Sequence, residues 1–147
     1  MSTSPGQTPL TGDTWLAAAP GERQAIRVDS RVTRGAYAVV ESVAEPGCAV
    51  PMHLHRNEEE HFLVISGRYR IAIGDTVVDA EPGFRATVPR NTGHSWRNVA
   101  AGQSRLLVVI TPGGFEQLAY EVATTPPDQI VSLAARFGCE ILGPSVI

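Results

Sequence analysis

The sequence predicts an all-β domain, a sandwich or barrel of short strands closed around one core. Three observations predict it. Short apolar or alternating runs recur from Ile26 to Thr111, separated by Gly, Pro, Asp and Asn, the pattern of strands and tight turns. Gly74-Asp75 is a two-residue hairpin signal between two such runs, and Glu81-Pro82-Gly83 marks the next corner. A chain of 147 residues with 43% hydrophobic content is the right size for a single domain.

Taken in order, the first two dozen residues are rich in turn formers and read as a loose arm over residues 1–24, anchored only by Trp15-Leu16. The expected strands follow within a barrel over residues 25–112. They are Ala36 to Val43, a strand carrying His53 and His55, His61 to Ser66, Tyr69 to Ile73, Thr76 to Asp79, Arg85 to Val88, His94 to Val99 and Leu106 to Ile110. Beyond Pro112-Gly113-Gly114 the period changes from two to that of a helix. Phe115, Leu118, Ala119 and Val122 share one face, as do Ile130, Leu133, Ala134 and Phe137. Pro126-Pro127-Asp128 starts the second helix and Gly138 stops it. The two apolar faces require cover from the barrel or a partner subunit, and we expect this extension, residues 113–147, to pack on the barrel.

Composition excludes several functions. A net charge of -3 and a pI near 5.8 do not suit nucleic acid or an anionic membrane surface, which want a basic excess. All twelve basic residues are arginine, so Schiff-base chemistry and a phosphate-loop lysine are absent. The N-terminal stretch carries no signal-peptide pattern and no apolar run is long enough to span a bilayer, so a soluble cytoplasmic protein is expected. Cys48 and Cys139 lie far apart and read as two free thiols.

The chemistry concentrates in HLHRNEEEHF, residues 53–62. Side chains two apart on a strand share a face, so His53 and His55 point the same way, roughly 6.6 Å apart along the strand. Residues Arg56 to Glu59 turn the corner, with Glu58 and Glu59 in an exposed turn, and Glu60 opens the next strand on its inner face with Phe62 and Val64. His61 alternates outward. A buried carboxylate needs a partner, and a divalent cation supplies one. His94 heads a strand whose inward set is His94, Trp96 and Asn98. If it faces the same cavity, three imidazoles and one carboxylate converge on one ion, with Glu59 the alternative to Glu60 if the turn is one residue shorter. Tyr37, Phe62, Phe84 and Trp96 fall near that cavity by strand parity, as core filling or as substrate contacts; Tyr37, Phe62 and Trp96 are the expected substrate pocket. Arg23, Arg27, Arg31 and Arg34 read as a solvated face.

These spacings resemble the two motifs of the cupin superfamily. Gly47, His53, His55, Glu60 and Gly67 fit the first, and Gly83, Pro89, His94 and Asn98 fit the second. One position departs, Asn91 standing where the family has glycine, and asparagine is the residue that best replaces glycine in left-handed backbone. The resemblance implies a cupin double-stranded β-helix, or jelly-roll, barrel with a short C-terminal helical extension. It implies that His53, His55, Glu60 and His94 bind one divalent transition metal ion, whether Fe, Mn, Ni, Co or Zn. Similarity to the flavonol-cleaving branch implies a dioxygenase-type oxidoreductase acting on a small aromatic or enolic substrate, with Glu60 taking the substrate proton. Similarity to polyketide-cyclase-like cupins implies a non-redox cyclase, isomerase or lyase instead, and a non-catalytic binding module is the third expectation. A homodimer is also expected from the resemblance, with a small molecule as the other partner.

Overall fold

The structure is a computed structural model that describes residues 14–145 and 147. Eleven strands and two short helices follow in order: β1 Leu16–Ala17, β2 Glu22–Val28, β3 Ala38–Ala44, β4 Met52–His55, β5 Glu59–Ser66, β6 Tyr69–Ile73, β7 Thr76–Ala80, β8 Arg85–Val88, β9 His94–Asn98, β10 Ser104–Thr111, α1 Ala119–Val122, α2 Ile130–Arg136 and β11 Cys139–Gly143. They form two antiparallel sheets, β1-β2-β3-β10-β5-β8 and β11-β4-β9-β6-β7. This is the jelly-roll barrel that the cupin resemblance implies, within the sandwich-or-barrel class that the turn spacing predicts.

Strict alternation builds the core. Along β10, Ser104, Leu106, Val108 and Ile110 are buried while the residues between them are half-buried. Their cross-strand partners on β3 and β5 include Val40, Phe62 and Val64, all buried, and Ile71, Tyr69 and Trp96 face them from the second sheet. The Gly74-Asp75 turn is as read, since Ile73 pairs with Thr76 and Gly74 has φ +57°. Asn91 has φ +61°, so it takes up the left-handed conformation that glycine would otherwise supply.

Three expectations change. The arm assigned to residues 1–24 does not extend through them all: β1 and the start of β2 belong to the six-stranded sheet, with Glu22 opposite Ala44 and Gln24 opposite Ser42. Residues 1–13 of that arm lie outside the described residues. Trp15 sits beneath the guanidinium groups of Arg23, Arg27 and Arg105, whose carbons lie 5.2–5.8 Å from its ring, and Arg27 and Arg105 both pair with Glu41. Arg23 and Arg27 therefore pack on an aromatic ring instead of forming a plain solvated face. Lastly, the segment after Gly138 is not simply the tail of a helical extension, because β11 adds an edge strand to β4 and pairs Cys139 with His55 and Ile141 with His53.

The helical residues cover the mouth of the barrel. Leu118, Ala119, Val122, Ile130 and Ala134 line the interior cavity, so the apolar faces read from the sequence close the site instead of its outer wall. No helix among the described residues is long and apolar enough to cross a membrane.

A polar network anchors this cap. Asp29, just past β2, accepts hydrogen bonds from the Arg31 side chain at 2.8 and 3.0 Å, from Gln117 at 2.9 Å and from the Tyr120 hydroxyl at 2.7 Å. Glu116, 2% exposed, accepts from the Ser30 amide and hydroxyl and from the Gly114 amide. Burial alone would raise the Asp29 pKa, but the bonds from Arg31 and Tyr120 outweigh it and hold the carboxyl well below its ordinary 3.8. A carboxyl whose folded pKa is depressed contributes stability above its unfolded value and loses that contribution as the pH falls. Asp29→Ala is expected to cost about 2 kcal/mol at pH 7, and the difference from wild type should shrink as the pH drops below 3.8, as read from urea midpoints.

Candidate metal centre

Four side chains from three strands meet at one end of the barrel interior. His53 and His55 project from the same face of β4, Glu60 from β5 and His94 from β9, where His94 pairs across the sheet with His53. One ligand atom from each lies within 4.8 Å of every other. The ring centroids of His53 and His94 are 4.2 Å apart, and those of His53 and His55 are 5.1 Å apart. Glu60 Oε1 is 2.9 Å from His94 Nε2 and 3.2 Å from His55 Nε2. His94 is fully buried, and His55 and Glu60 are nearly so.

Backbone carbonyls set which imidazole nitrogen faces inward. His53 Nδ1 lies 2.7 Å from the Pro51 carbonyl and His94 Nδ1 2.9 Å from that of Thr92. A carbonyl only accepts, so each Nδ1 carries the proton and donates it, leaving the Nε2 lone pair of the neutral ring for a cation. Burial above all, and then the neighbouring His94, push the His53 pKa down to about 3, which keeps that ring neutral at physiological pH. His55 behaves differently. Burial would lower it, but the Glu60 charge and the adjacent Cys139 thiol outweigh burial and raise it to about 10. Burial likewise would raise Glu60, yet His55 and His94 hold its carboxyl well below the ordinary range.

The His55–Glu60 approach is an ion-pair contact without hydrogen-bond geometry, so both ring nitrogens of His55 are buried without a hydrogen-bond partner among the described residues. Buried polar atoms of this kind are rare unless something completes them. A divalent ion fits these residues: it would give a buried His55 nitrogen a partner in place of a proton and would compensate the buried Glu60 carboxylate.

His61 faces outward between Thr87 Oγ1 at 2.9 Å and Thr111 Oγ1 at 3.0 Å, and Glu59 is outside the cluster. Glu58 corrects the expectation of an exposed turn: it is 6% exposed, and its Oε1 has no partner among the described residues. Burial raises its pKa. Phe62 and Trp96 line the cavity, whereas Tyr37 does not. Tyr37 precedes β3 with the outward parity of Val39 and Glu41 and is 41% exposed, so it is removed from the expected pocket. Phe84 packs against the core without lining the cavity. Phe115, not singled out from the sequence as a site residue, sets its ring 4.3 Å from that of His55, edge to face.

The cavity, about 300 Å³, runs from His53 and Glu60 between Phe62, Trp96, Leu106 and Val108 to the β1–β2 turn. No arginine is among its lining residues. Glu22, Gln24 and Ser42 do line it and were not expected there: Glu22 and Gln24 fell in the presumed arm, and Ser42 in a strand with no site residue assigned to it.

An antiparallel jelly-roll barrel with three histidines and a glutamate converging in its interior defines a class of small metal-binding β-barrels. Residues 40–110, nearly all of the barrel from β3 to β10, match the family profile described as the cupin domain. No curated protein matches the chain. Among solved structures it is similar to KdgF from Halomonas sp., at 16% identity and a TM-score of 0.64, covering 71% of this chain and 90% of that one. It is also similar to a predicted oxalate decarboxylase from Thermotoga maritima, at 17% identity and a TM-score of 0.61, covering 67% and 90%. A sugar phosphate isomerase of the cupin superfamily from Silicibacter pomeroyi matches at 23% identity and a TM-score of 0.55, covering 63% and 60%. At these identities the likeness is one of fold.

Proposed function

We propose that this metal-dependent cupin is a dioxygenase-type enzyme acting on a small, uncharged aromatic or enolic substrate. The observation that carries the reading is a single apolar cavity that opens onto the His53, His55, Glu60 and His94 cluster and has no cationic side chain in its wall. A substrate carrying a phosphate or a carboxylate away from the cluster would meet apolar wall or the Glu22 carboxyl there and no cation. The sugar phosphate named for one of the similar structures is therefore a poor candidate for this cavity. Phe62 and Trp96 both line this cavity and offer aromatic surface to a flat ring.

The four ligands would hold one divalent transition ion, which when bound supplies Lewis acidity toward a substrate oxygen and, for a redox-active ion, reactivity with dioxygen. The chain's own residues do the rest. Glu60, ionised and buried at the cavity wall, accepts the proton of the substrate hydroxyl at its carboxylate oxygen. Phe62, Trp96 and Phe115 bound the site with apolar surface, and Ala119 and Val122 of α1 with Ile130 and Ala134 of α2 extend that surface across the cavity wall.

Oxygen uptake tests the reading. Incubated with a panel of catechols, flavonols and diketones, the metal-loaded protein should consume oxygen in step with one of them, and Glu60→Gln should slow that reaction about 100-fold or more. Conversion of the same compound at an equal rate without oxygen would move the assignment to a non-redox cyclase, isomerase or lyase, for which Glu60 serves equally well as base. Binding without conversion under either condition would leave a ligand-binding barrel.

A further inference from the structure

The end of the cavity away from the metal cluster is polar, and nothing in the barrel's construction requires it. Glu22 and Gln24 occupy inward positions of β2, and Ser42 the inward position of β3 opposite Gln24. Elsewhere these inner faces carry Ile26, Val40, Val64, Leu106 and Val108. Glu22 Oε2 accepts hydrogen bonds from Ser42 Oγ at 2.6 Å and Gln24 Nε2 at 3.1 Å, while Oε1 has one long contact, from the Ala19 amide at 3.3 Å. Glu22 is 7% exposed and Ser42 2%, and no arginine pairs with the carboxyl. Capping the β1–β2 turn would use Oε1 alone. Ser42 and Gln24 add nothing to such a cap, yet they hold the carboxyl in one orientation within the cavity wall.

The register places this group opposite the metal cluster. Glu60 lies level with Ile110 and hence Ala38, at the start of β3, while Glu22 lies level with Ala44, at its end. A ligand in the cavity thus meets polar groups at its two ends and apolar walls between.

We propose that Glu22, Gln24 and Ser42 form the distal recognition site of the substrate cavity and select a ligand bearing a neutral hydroxyl at the end opposite its metal-facing oxygens. This rests on the aromatic or enolic reading above. Burial raises the Glu22 pKa and outweighs the lowering effect of the bonds from Ser42, Gln24 and the Ala19 amide, so in its protonated form the carboxyl donates through Oε1 as well as accepts. A methyl group in place of the ligand hydroxyl would leave the buried Oε1 facing hydrocarbon.

Calorimetric titration of the zinc-loaded protein, kept anaerobic, with 1,2,4-trihydroxybenzene and 4-methylcatechol tests this. Both probes offer vicinal oxygens to the metal and differ only in a distal hydroxyl or methyl. Wild type should bind the triol about tenfold more tightly or better. Glu22→Leu should remove or invert that preference while keeping affinity for 4-methylcatechol, and Ser42→Ala, the milder change, should reduce it. If both probes bind and the preference is absent in wild type or undiminished in both variants, the distal site is overturned and the reading of the metal end stands. If neither probe binds wild type, the aromatic or enolic reading falls, and the distal site with it.

Discussion

His94→Ala should emerge from purification with almost no bound metal, while wild type prepared beside it holds close to one ion per chain. The loss is expected to be large because His94 is the fully buried member of the set and its Nε2 sits 2.9 Å from Glu60 Oε1, at the centre of the cluster. Removing a group that only orients a ligand costs roughly 10–100-fold in metal affinity, and removing a ligand itself should exceed that. Elemental analysis measures the stoichiometry directly. Thermal melting with and without added zinc gives a second reading, since an ion that binds only the folded chain raises its stability in proportion to the logarithm of its concentration over Kd. The wild-type melting temperature should rise with zinc and that of His94→Ala should not. His61→Ala is the control: its ring lies outside, held by two threonines, so it should keep the metal and the zinc response. Equal metal content in the two variants would remove the basis for every chemical step assigned to this cavity.

The sequence revealed most where one local rule decided the outcome. Turn residues bracket β6 and β7, and period-two alternation alone puts Glu60, Phe62 and Val64 inward and His61 outward. Three members of the metal cluster were legible for the same reason, because their spacing is set within β4 and across one corner, whereas His94, on β9, was placed with them by the second cupin motif. What stayed hidden needed contacts between distant segments. Glu58 is adjacent to two glutamates and looks solvated, but the fold buries it. The strand at Cys139–Gly143 is short and exists by pairing with β4, so no periodicity announces it. The helical faces after Phe115 were legible as apolar, but not that they close the mouth of the barrel. β2 is the instructive case. Its inward residues begin with Glu22 and Gln24, which contradict the alternation expected of a core strand, and the contradiction falls where the cavity wall is polar.

Gly67→Ala should be the most destabilising single-methyl change in the chain, at about 3–5 kcal/mol. Gly67 joins β5 to β6 with φ +79°, where a side chain costs about 1–2 kcal/mol through its clash with the following carbonyl. Sterics add more. A methyl there would lie 2.0 Å from Ser104 Oγ and 2.7 Å from Ser104 Cα, so rotating the serine side chain cannot relieve it and the β10 backbone must move. That serine is part of a buried network: its Oγ accepts from the Arg68 amide at 3.0 Å and donates to Asn98 Oδ1 at 2.7 Å, and Asn98 Nδ2 donates to the Ala44 and Gly102 carbonyls at 2.9 Å each. Displacing Ser104 leaves buried polar groups unpaired, each at about 1–3 kcal/mol. Gly74→Ala isolates the backbone term, because φ is +57° there and the nearest atom, Thr92 Cγ2, is 3.9 Å away. It should cost about 1 kcal/mol. Urea midpoints at constant slope report both values, and a Gly67→Ala midpoint no lower than that of Gly74→Ala would mean that Ser104 does not pack against this turn as described. Ser104→Gly in the Gly67→Ala background should recover only part of the loss, since the contact with the Ser104 main chain remains.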